Sequence, residues 1–278
     1  MAALGDVNAD GTVDFAVGVP GKDIGGEEGI ANVGLVYIFS GKTGALLRTL
    51  NDPPRGGDEA GAGFGSALAN AGDTNGDGVT DILIGAPGEG RAYLFDGKTG
   101  ALLLSIVSPV HETVPSFGYA VAGGQDFNRD RKPDLVIGAP LQSNFAGAAY
   151  IFDGTSGALI SKLKSPTPQM FARFGASLIA SADLTGDRRA DIIVGAPDQN
   201  VSGFNSAGEA FVFDGQRARV RQTLMSETPQ AHAGFGTGLT SAVFPGNTTA
   251  SAVIGAPFQD ANSGGKPHLE MGQIEIPQ

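Results

Sequence analysis

Three features of this 278-residue chain predict an all-β fold, a β-propeller of about five four-stranded antiparallel blades. Short sequence markers recur in a fixed order along the chain. Every apolar segment between them is strand length and bounded by Gly, Pro, Asp or Asn. No stretch keeps a helical period for three turns without a Gly or Pro. Forty-four Gly and sixteen Pro suit a chain made of turns and close backbone packing. Four-stranded units of this kind bury their faces against neighbouring units, which is how propeller blades are stabilised.

The elements of one unit follow in order. Phe-Gly opens the first strand, at Phe64-Gly65, Phe117-Gly118, Phe174-Gly175 and Phe235-Gly236. An acidic turn comes next. An apolar run closed by Gly-Ala-Pro or a near copy forms the second strand, at residues 15–20, 82–87, 135–140, 192–197 and 252–257. The glycines of these runs lie 67, 53, 57 and 60 residues apart, so the insertions vary while the markers persist. A variable loop leads to a third strand carrying Tyr37-Ile38-Phe39, Tyr93-Leu94-Phe95, Tyr150-Ile151-Phe152 or Phe211-Val212-Phe213. Ser-Gly or Asp-Gly then turns the chain into a short final strand such as residues 45–50. The chain is read as one domain, 1–278, with units near 1–51, 52–106, 107–164, 165–224 and 225–278. The first unit enters late in its first strand, at Ala2-Ala3-Leu4. The last reaches a third strand near residues 273–276 and lacks a fourth, so this strand is expected to be an exposed edge open to self-association.

The acidic turns carry the chemistry. Asp6-x-Asn8-x-Asp10-x-x-x-Asp14 is repeated as Asp73-x-Asn75-x-Asp77-x-x-x-Asp81, Asp126-x-Asn128-x-Asp130-x-x-x-Asp134 and Asp183-x-Thr185-x-Asp187-x-x-x-Asp191. Ca²⁺ takes six to eight oxygens at ~2.3–2.6 Å, and a tight loop supplies them from positions 1, 3, 5 and 9 with the backbone carbonyl of position 7. That carbonyl belongs to Thr12, Val79, Lys132 and Arg189. Asn and Asp also dominate ordinary turns through bonds to their own backbone. Four copies in register, each followed at the same distance by the same strand, point instead to four Ca²⁺ sites. An EF-hand is excluded: position 12 carries Val17, Ile84, Ile137 and Val194 in place of a bidentate Glu, and no helices flank the loops. Gly11 and Gly78 ease the turn at position 6, whereas Arg131 and Arg188 strain it, and Lys132 and Pro133 further burden the third loop. The expected order of affinity is first and second, then fourth, then third. The fifth turn, residues 243–251, has no Asp or Glu and is expected to bind no calcium.

With all four markers agreeing in order, the chain resembles a run of FG-GAP repeats, the blades of the integrin α-subunit β-propeller and of many bacterial secreted proteins. The resemblance covers essentially the whole chain. It implies structural Ca²⁺ in the turn between the first and second strands. The integrin propeller is seven-bladed and this chain has material for about five, so the sequence is either a piece of a longer array or a small propeller that closes on itself.

Composition narrows the function. The formal charge of −11 and pI near 4.6 argue against a nucleic-acid partner. Four Ca²⁺ would bring that charge to −3, so much of the acidity is local ligand charge. There is no Cys, so no disulfide framework reports the compartment; there is also no leader-like segment and no apolar run long enough to insert in a membrane, and the chain is read as a secreted or cell-surface domain whose leader lies outside it. His111, His232 and His268 lie in loops without metal-ligand spacing, so no catalytic residue is assigned. Strand order puts the calcium turns and the Gly-Lys-Thr-Gly turns at one edge of the blades and the long variable loops at the other. Recognition is usually built on variable loops over a rigid scaffold, and the resemblance places integrin partners on that face too. Tyr119, Phe145, Phe171, Phe204 and Phe258 fall outside the markers and are the aromatics left open to exposure. The reading is an extracellular adhesion module that binds a protein or glycan. Its alternatives are a propeller-scaffold polysaccharide lyase or hydrolase, and a structural fragment without activity of its own.

Overall fold

Residues 1–23, 31–54, 60–111, 114–181, 183–242 and 251–259 are described in the structure, a computed structural model. The markers become strands as the repeat predicts. β1 (Ala2–Gly5), β2 (Asp14–Val19), β3 (Leu35–Phe39) and β4 (Leu46–Asn51) form one sheet in chain order. β5 (Ala67–Gly72), β6 (Asp81–Ala86), β7 (Arg91–Phe95) and β8 (Leu102–Val107) form the second. β9 (Val121–Gln125), β10 (Asp134–Ala139), β11 (Ala148–Phe152) and β12 (Leu159–Leu163) form the third. β13 (Ser177–Ser181), β14 (Asp191–Ala196), β15 (Glu209–Asp214) and β16 (Arg219–Leu224) form the fourth. β17 (Gly238–Ala242) pairs with β18 (Ser251–Gly255) in a fifth. The fold is an all-β propeller architecture of antiparallel four-stranded blades.

Helical geometry among the described residues is confined to single turns at Pro87–Glu89 and Gln142–Phe145, and no helix there is long and apolar enough to cross a membrane. The fifth acid-free turn (residues 243–250 of it) and the third strand expected near 273–276 lie outside the described residues.

The chain divides into two compact units, residues 1–137 with 152–159 and residues 138–151 with 160–278. In the first unit, Leu4, Ala16, Val36, Ile38 and Leu50 of the first blade pack with Phe64, Ile82, Ile84, Tyr93 and Phe95 of the second. In the second unit, Ile179, Ile193, Val212 and Leu224 pack with Phe235, Ala252 and Ile254. Fully burying each large side chain of this kind stabilises the fold by about 1.5–3 kcal/mol. The Gly-Ala-Pro strands β6, β10 and β14 are buried at all six positions. Both of their faces are covered, which is why they read as continuous apolar runs rather than alternating ones. The fourth strands β4, β8 and β16 lie at the sheet edge and each bury a single residue, Leu50, Ile106 and Leu224.

One marker sits differently from its reading. Phe-Gly does not open the first strand; it lies in the turn before it, because the strands start at Ala67, Val121, Ser177 and Gly238. Gly65, Gly118, Gly175 and Gly236 have φ of 89°, 93°, 91° and 90°, a left-handed backbone that a Cβ would strain. Three of their amides bond to the Gly-Ala-Pro strand, Gly65 donating to the Gly85 carbonyl at 3.0 Å, Gly175 to that of Gly195 at 2.9 Å and Gly236 to that of Gly255 at 3.0 Å. The sharp turn drops Phe64, Phe117, Phe174 and Phe235 into the core.

Candidate metal loops and the opposite edge

Each acidic loop fills the gap between the first and second strands, and its ninth residue opens the second strand. The four loops share one hydrogen-bond plan. Position 1 gathers the loop amides: Asp6 accepts from Asp10 and Gly11 at 3.0 and 2.7 Å, and Asp73 from Asp77 and Gly78, both at 3.0 Å. Asp126 accepts from Arg129 and Arg131 at 2.6 and 2.9 Å, and Asp183 from Asp187 and Arg188 at 3.1 and 2.6 Å. At position 3, Asn8, Asn75 and Asn128 accept from the amide of position 5 at 3.0, 2.9 and 2.9 Å. Asp10, Asp77, Asp130 and Asp187 at position 5 each accept from the amide of position 7, that of Thr12, Val79, Lys132 or Arg189, at 2.8–3.1 Å.

Position 9 is the buried anchor. Asp14, Asp81, Asp134 and Asp191 are wholly buried. They accept from Val7, Thr74, Phe127 and Leu184 at 2.9, 3.0, 2.7 and 2.8 Å. Burial pushes the Asp81 carboxyl up, and those of Asp134 and Asp191 up to about 6. At Asp73 burial also pushes upward, but the amides of Gly78, Gly76 and Asp77 and the Lys132 charge outweigh it and hold the carboxyl below its usual range. Lys132 therefore lies beside the second loop, although it belongs to the third.

Two features escaped the sequence reading. Position 4 is left-handed as well as position 6: Ala9 and Gly11 have φ of 60° and 84°, Arg129 and Arg131 of 70° and 71°. The expected strain at Arg131 and Arg188 is present, and Ala9 and Arg129 carry it too. The second feature is the residue after Tyr-x-Phe, read only as a turn signal. The Ser40 hydroxyl donates to Asp10 at 3.1 Å, Asp96 accepts from Asn75 at 3.1 Å, and Asp153 accepts from Asn128 at 2.8 Å. Ser or Asp ahead of Gly in every third strand was the available signal.

The residues around the first three loops fit a divalent cation by charge. Three Asp beside Lys42 leave the first loop at −2; Asp73, Asp77, Asp81 and Asp96 beside Lys98 and Lys132 leave the second at −2. Asp126, Asp130, Asp134 and Asp153 against Arg129 and Arg131 leave the third at −2. The oxygens of positions 1 and 3 also meet at one shared amide in the first two loops. Among the described residues, no three Asp, Glu or His side chains are drawn tightly onto one point.

The fourth loop differs. Arg221 donates to Asp187 at 2.7 Å, and Arg189, Arg217 and Arg221 stand 3.6, 3.2 and 3.8 Å from Asp214. With Arg188, four arginines match Asp183, Asp187, Asp191 and Asp214, and the loop is formally neutral.

At the other edge, the connections that enter a blade bond to the loop between its second and third strands. Gly88 donates to Ala62 at 3.1 Å and Asp198 to Ala172 at 3.3 Å, whereas His232, on the connection into the fifth blade, donates to Asn205 in the loop of the preceding blade at 2.8 Å. Tyr119, Phe171, Phe204 and Phe258 are exposed, Phe258 by 73% and Phe171 by 57%; Phe145 is half-buried. Phe145 and Phe171 stack with ring centroids 5.4 Å apart. Phe171 and Arg173 have φ of 65° and 54°, at positions where the connection into the second blade has Gly61 and Gly63 at 75° and 66°. Arg173 pairs with Asp198. Glu112 and His268 lie outside the described residues.

The FG-GAP repeat family matches this chain at residues 64–104, 117–152 and 174–213, one match in each of the second, third and fourth blades. The chain is an integrin-α-like FG-GAP repeat protein. This FG-GAP chain is 33% identical to human integrin alpha-11 over 183 residues, 59% of the chain and 15% of that protein. It is 30% identical to integrin alpha-2 of Bos taurus over 217 residues, 72% of the chain and 18% of that protein. With integrin alpha-3 of Mus musculus it shares 32% identity over 155 residues, 49% of the chain and 13% of that protein. The FG-GAP chain thus spans less than a fifth of each of these relatives.

Proposed function

We propose that this chain is a calcium-stabilised extracellular or cell-surface adhesion module that recognises a protein or glycan through its loop-rich edge and performs no turnover. The observation that carries the reading is the pairing of Phe145 and Phe171 at that edge, with Phe171 exposed on a left-handed backbone where another blade uses glycine. A non-Gly residue in that conformation costs roughly 1–2 kcal/mol, and a side chain kept at such a cost is a functional candidate. The similarity to integrin α subunits supports an adhesion role.

Calcium is assigned to the first three acidic loops, held by Asp6, Asn8, Asp10, Asp14 and the Thr12 carbonyl and by the matching residues of the second and third repeats. When bound, the ion neutralises carboxylates that otherwise repel one another across a single turn. The residues of this chain do the rest: the position-9 Asp ties the loop to the second strand, and the amides gathered by the position-1 Asp hold its curvature.

The test is surface plasmon resonance of the chain against immobilised matrix proteins and sulfated and neutral glycans, with calcium and with EGTA. Capture is expected to weaken at least about tenfold in Phe171→Gly, the change that about 1.4 kcal/mol produces. A Phe171→Gly variant that binds every positive ligand as the parent does overturns the assignment of the face. Release of sugar from any of these glycans overturns the reading of binding without turnover.

A further inference from the structure

The fourth acidic loop has the ligand spacing of the others and a different charge environment. Arg221 lies on the outermost strand, three residues before Leu224, whose cross-strand partner is Ala210. In the first two blades the same register pairs Leu50 with Val36 and Ile106 with Ala92, so the residues aligned with Arg221 are Leu47 and Leu103. In the third blade, three residues before Leu163, stands Ile160. Three blades therefore have an aliphatic side chain where the fourth has a guanidinium.

That guanidinium reaches the loop itself. Arg221 meets the position-5 carboxylate of Asp187 at 2.7 Å and Asp214 at 3.8 Å; Arg189 meets the same two at 3.8 and 3.6 Å. The Asp187 and Asp214 side chains are 20% and 1% exposed, so both carboxylates are largely shielded from water and need a nearby positive charge. A planar guanidinium bridges two carboxylates through its fixed fork of donors. The first three loops are left at −2, matching one divalent cation, while the fourth is neutral already.

We infer that guanidinium groups, chiefly Arg221 with Arg189, take the place of the divalent cation in the fourth loop, which folds without calcium. This rests on the calcium reading of the other three loops, and it departs from the expectation of four equivalent sites. A Ca²⁺ entering here would displace Arg221 from Asp187 and face Arg189 and Arg217 at close range. The fourth loop thus keeps its part of the chain in shape when calcium falls.

Hydrogen exchange with and without EGTA, read loop by loop, together with calcium stoichiometry, tests this. Three ions per chain are expected. Chelation should speed exchange about tenfold or more in residues 6–14, 73–81 and 126–134 and leave residues 183–191 unchanged. Arg221→Leu, which installs the residue of the first two blades, should lose protection at 183–191 in EGTA, regain it in calcium and bind a fourth ion. Four ions on the parent chain, with 183–191 responding to EGTA, overturns the inference. So does an Arg221→Leu protein whose fourth loop neither loosens nor gains an ion. If Arg221→Leu does not fold, the exchange of 183–191 in the parent chain decides alone. If loops one to three ignore EGTA, the calcium reading fails, and the EGTA behaviour of Arg221→Leu still judges the arginines separately.

Discussion

Gly85, in the second-strand marker of one blade, lies directly against the carbonyl of Gly118, in the Phe-Gly marker of the next: a Cβ on Gly85 would overlap that oxygen. The same relationship joins Gly18 to Gly65 in the first unit, and Gly138 to Gly175 and Gly195 to Gly236 in the second. Two markers 33 to 47 residues apart in sequence are thus the two halves of one contact between backbones. Gly85→Ala or Gly195→Ala should cost about 1–3 kcal/mol, the usual range for overpacking. Among the described residues no atom lies within 4 Å of the Cβ position of Gly238, and its φ is ordinary, so Gly238→Ala should stay within about 0.5 kcal/mol. Urea denaturation of the three variants checks the contrast, and equal destabilisation would refute the contact.

Calcium removal should lower stability. Binding to the native state alone adds RT ln(1 + [L]/Kd), about 2.7 kcal/mol per site at a hundredfold excess over Kd. Thermal melts in calcium and in EDTA should therefore separate clearly, and elemental analysis should find the ion. Asp77→Ala should remove most of one site's share and leave a smaller response to EDTA.

The pH dependence without calcium should run in an unusual direction. Burial raises the carboxyls of Asp134 and Asp191 from 3.8 to about 6, so the folded protein takes up these protons first. Their contribution is present in full below 3.8 and is lost as pH rises through about 6. Asp10, Asp73, Asp153 and Asp214 are lowered, so their contribution is present above 3.8 and is lost as the pH falls from there through their folded values. In chelator, urea midpoints should rise between about pH 7 and pH 5 and fall again in stronger acid. Saturating calcium, which favours charged carboxylates, should move the optimum back toward neutral pH.

Phe171→Gly should separate binding from stability. Relief of the left-handed backbone returns roughly 1–2 kcal/mol, and loss of the ring stack with Phe145 removes about 0.5–1.5 kcal/mol. The melting temperature should hardly move while ligand capture weakens. A large fall in melting temperature would make Phe171 a core residue instead.

Repeated order made the blades legible without coordinates. Markers at matching separations, strand-length apolar runs and acidic turns ahead of each Gly-Ala-Pro run are local properties, and local chemistry dictates them: Asp and Asn curl a turn, aliphatic runs pair, and Gly and Pro end them. The ligand positions of the acidic loops were legible for the same reason. Tertiary structure decided what depends on residues distant in sequence. Phe-Gly moved from strand to turn because the Gly65 amide bonds to Gly85 across the sheet. The Lys132 charge acts on Asp73 of the preceding loop, and Asp96 and Asp153 reach into loops 21 and 25 residues earlier. Arg221 looks like a solvated edge residue in the sequence; only the pairing of β16 with β15 brings its charge onto Asp187. Turns are written in neighbouring residues, whereas the charge each turn experiences is set by the strands that fold against it.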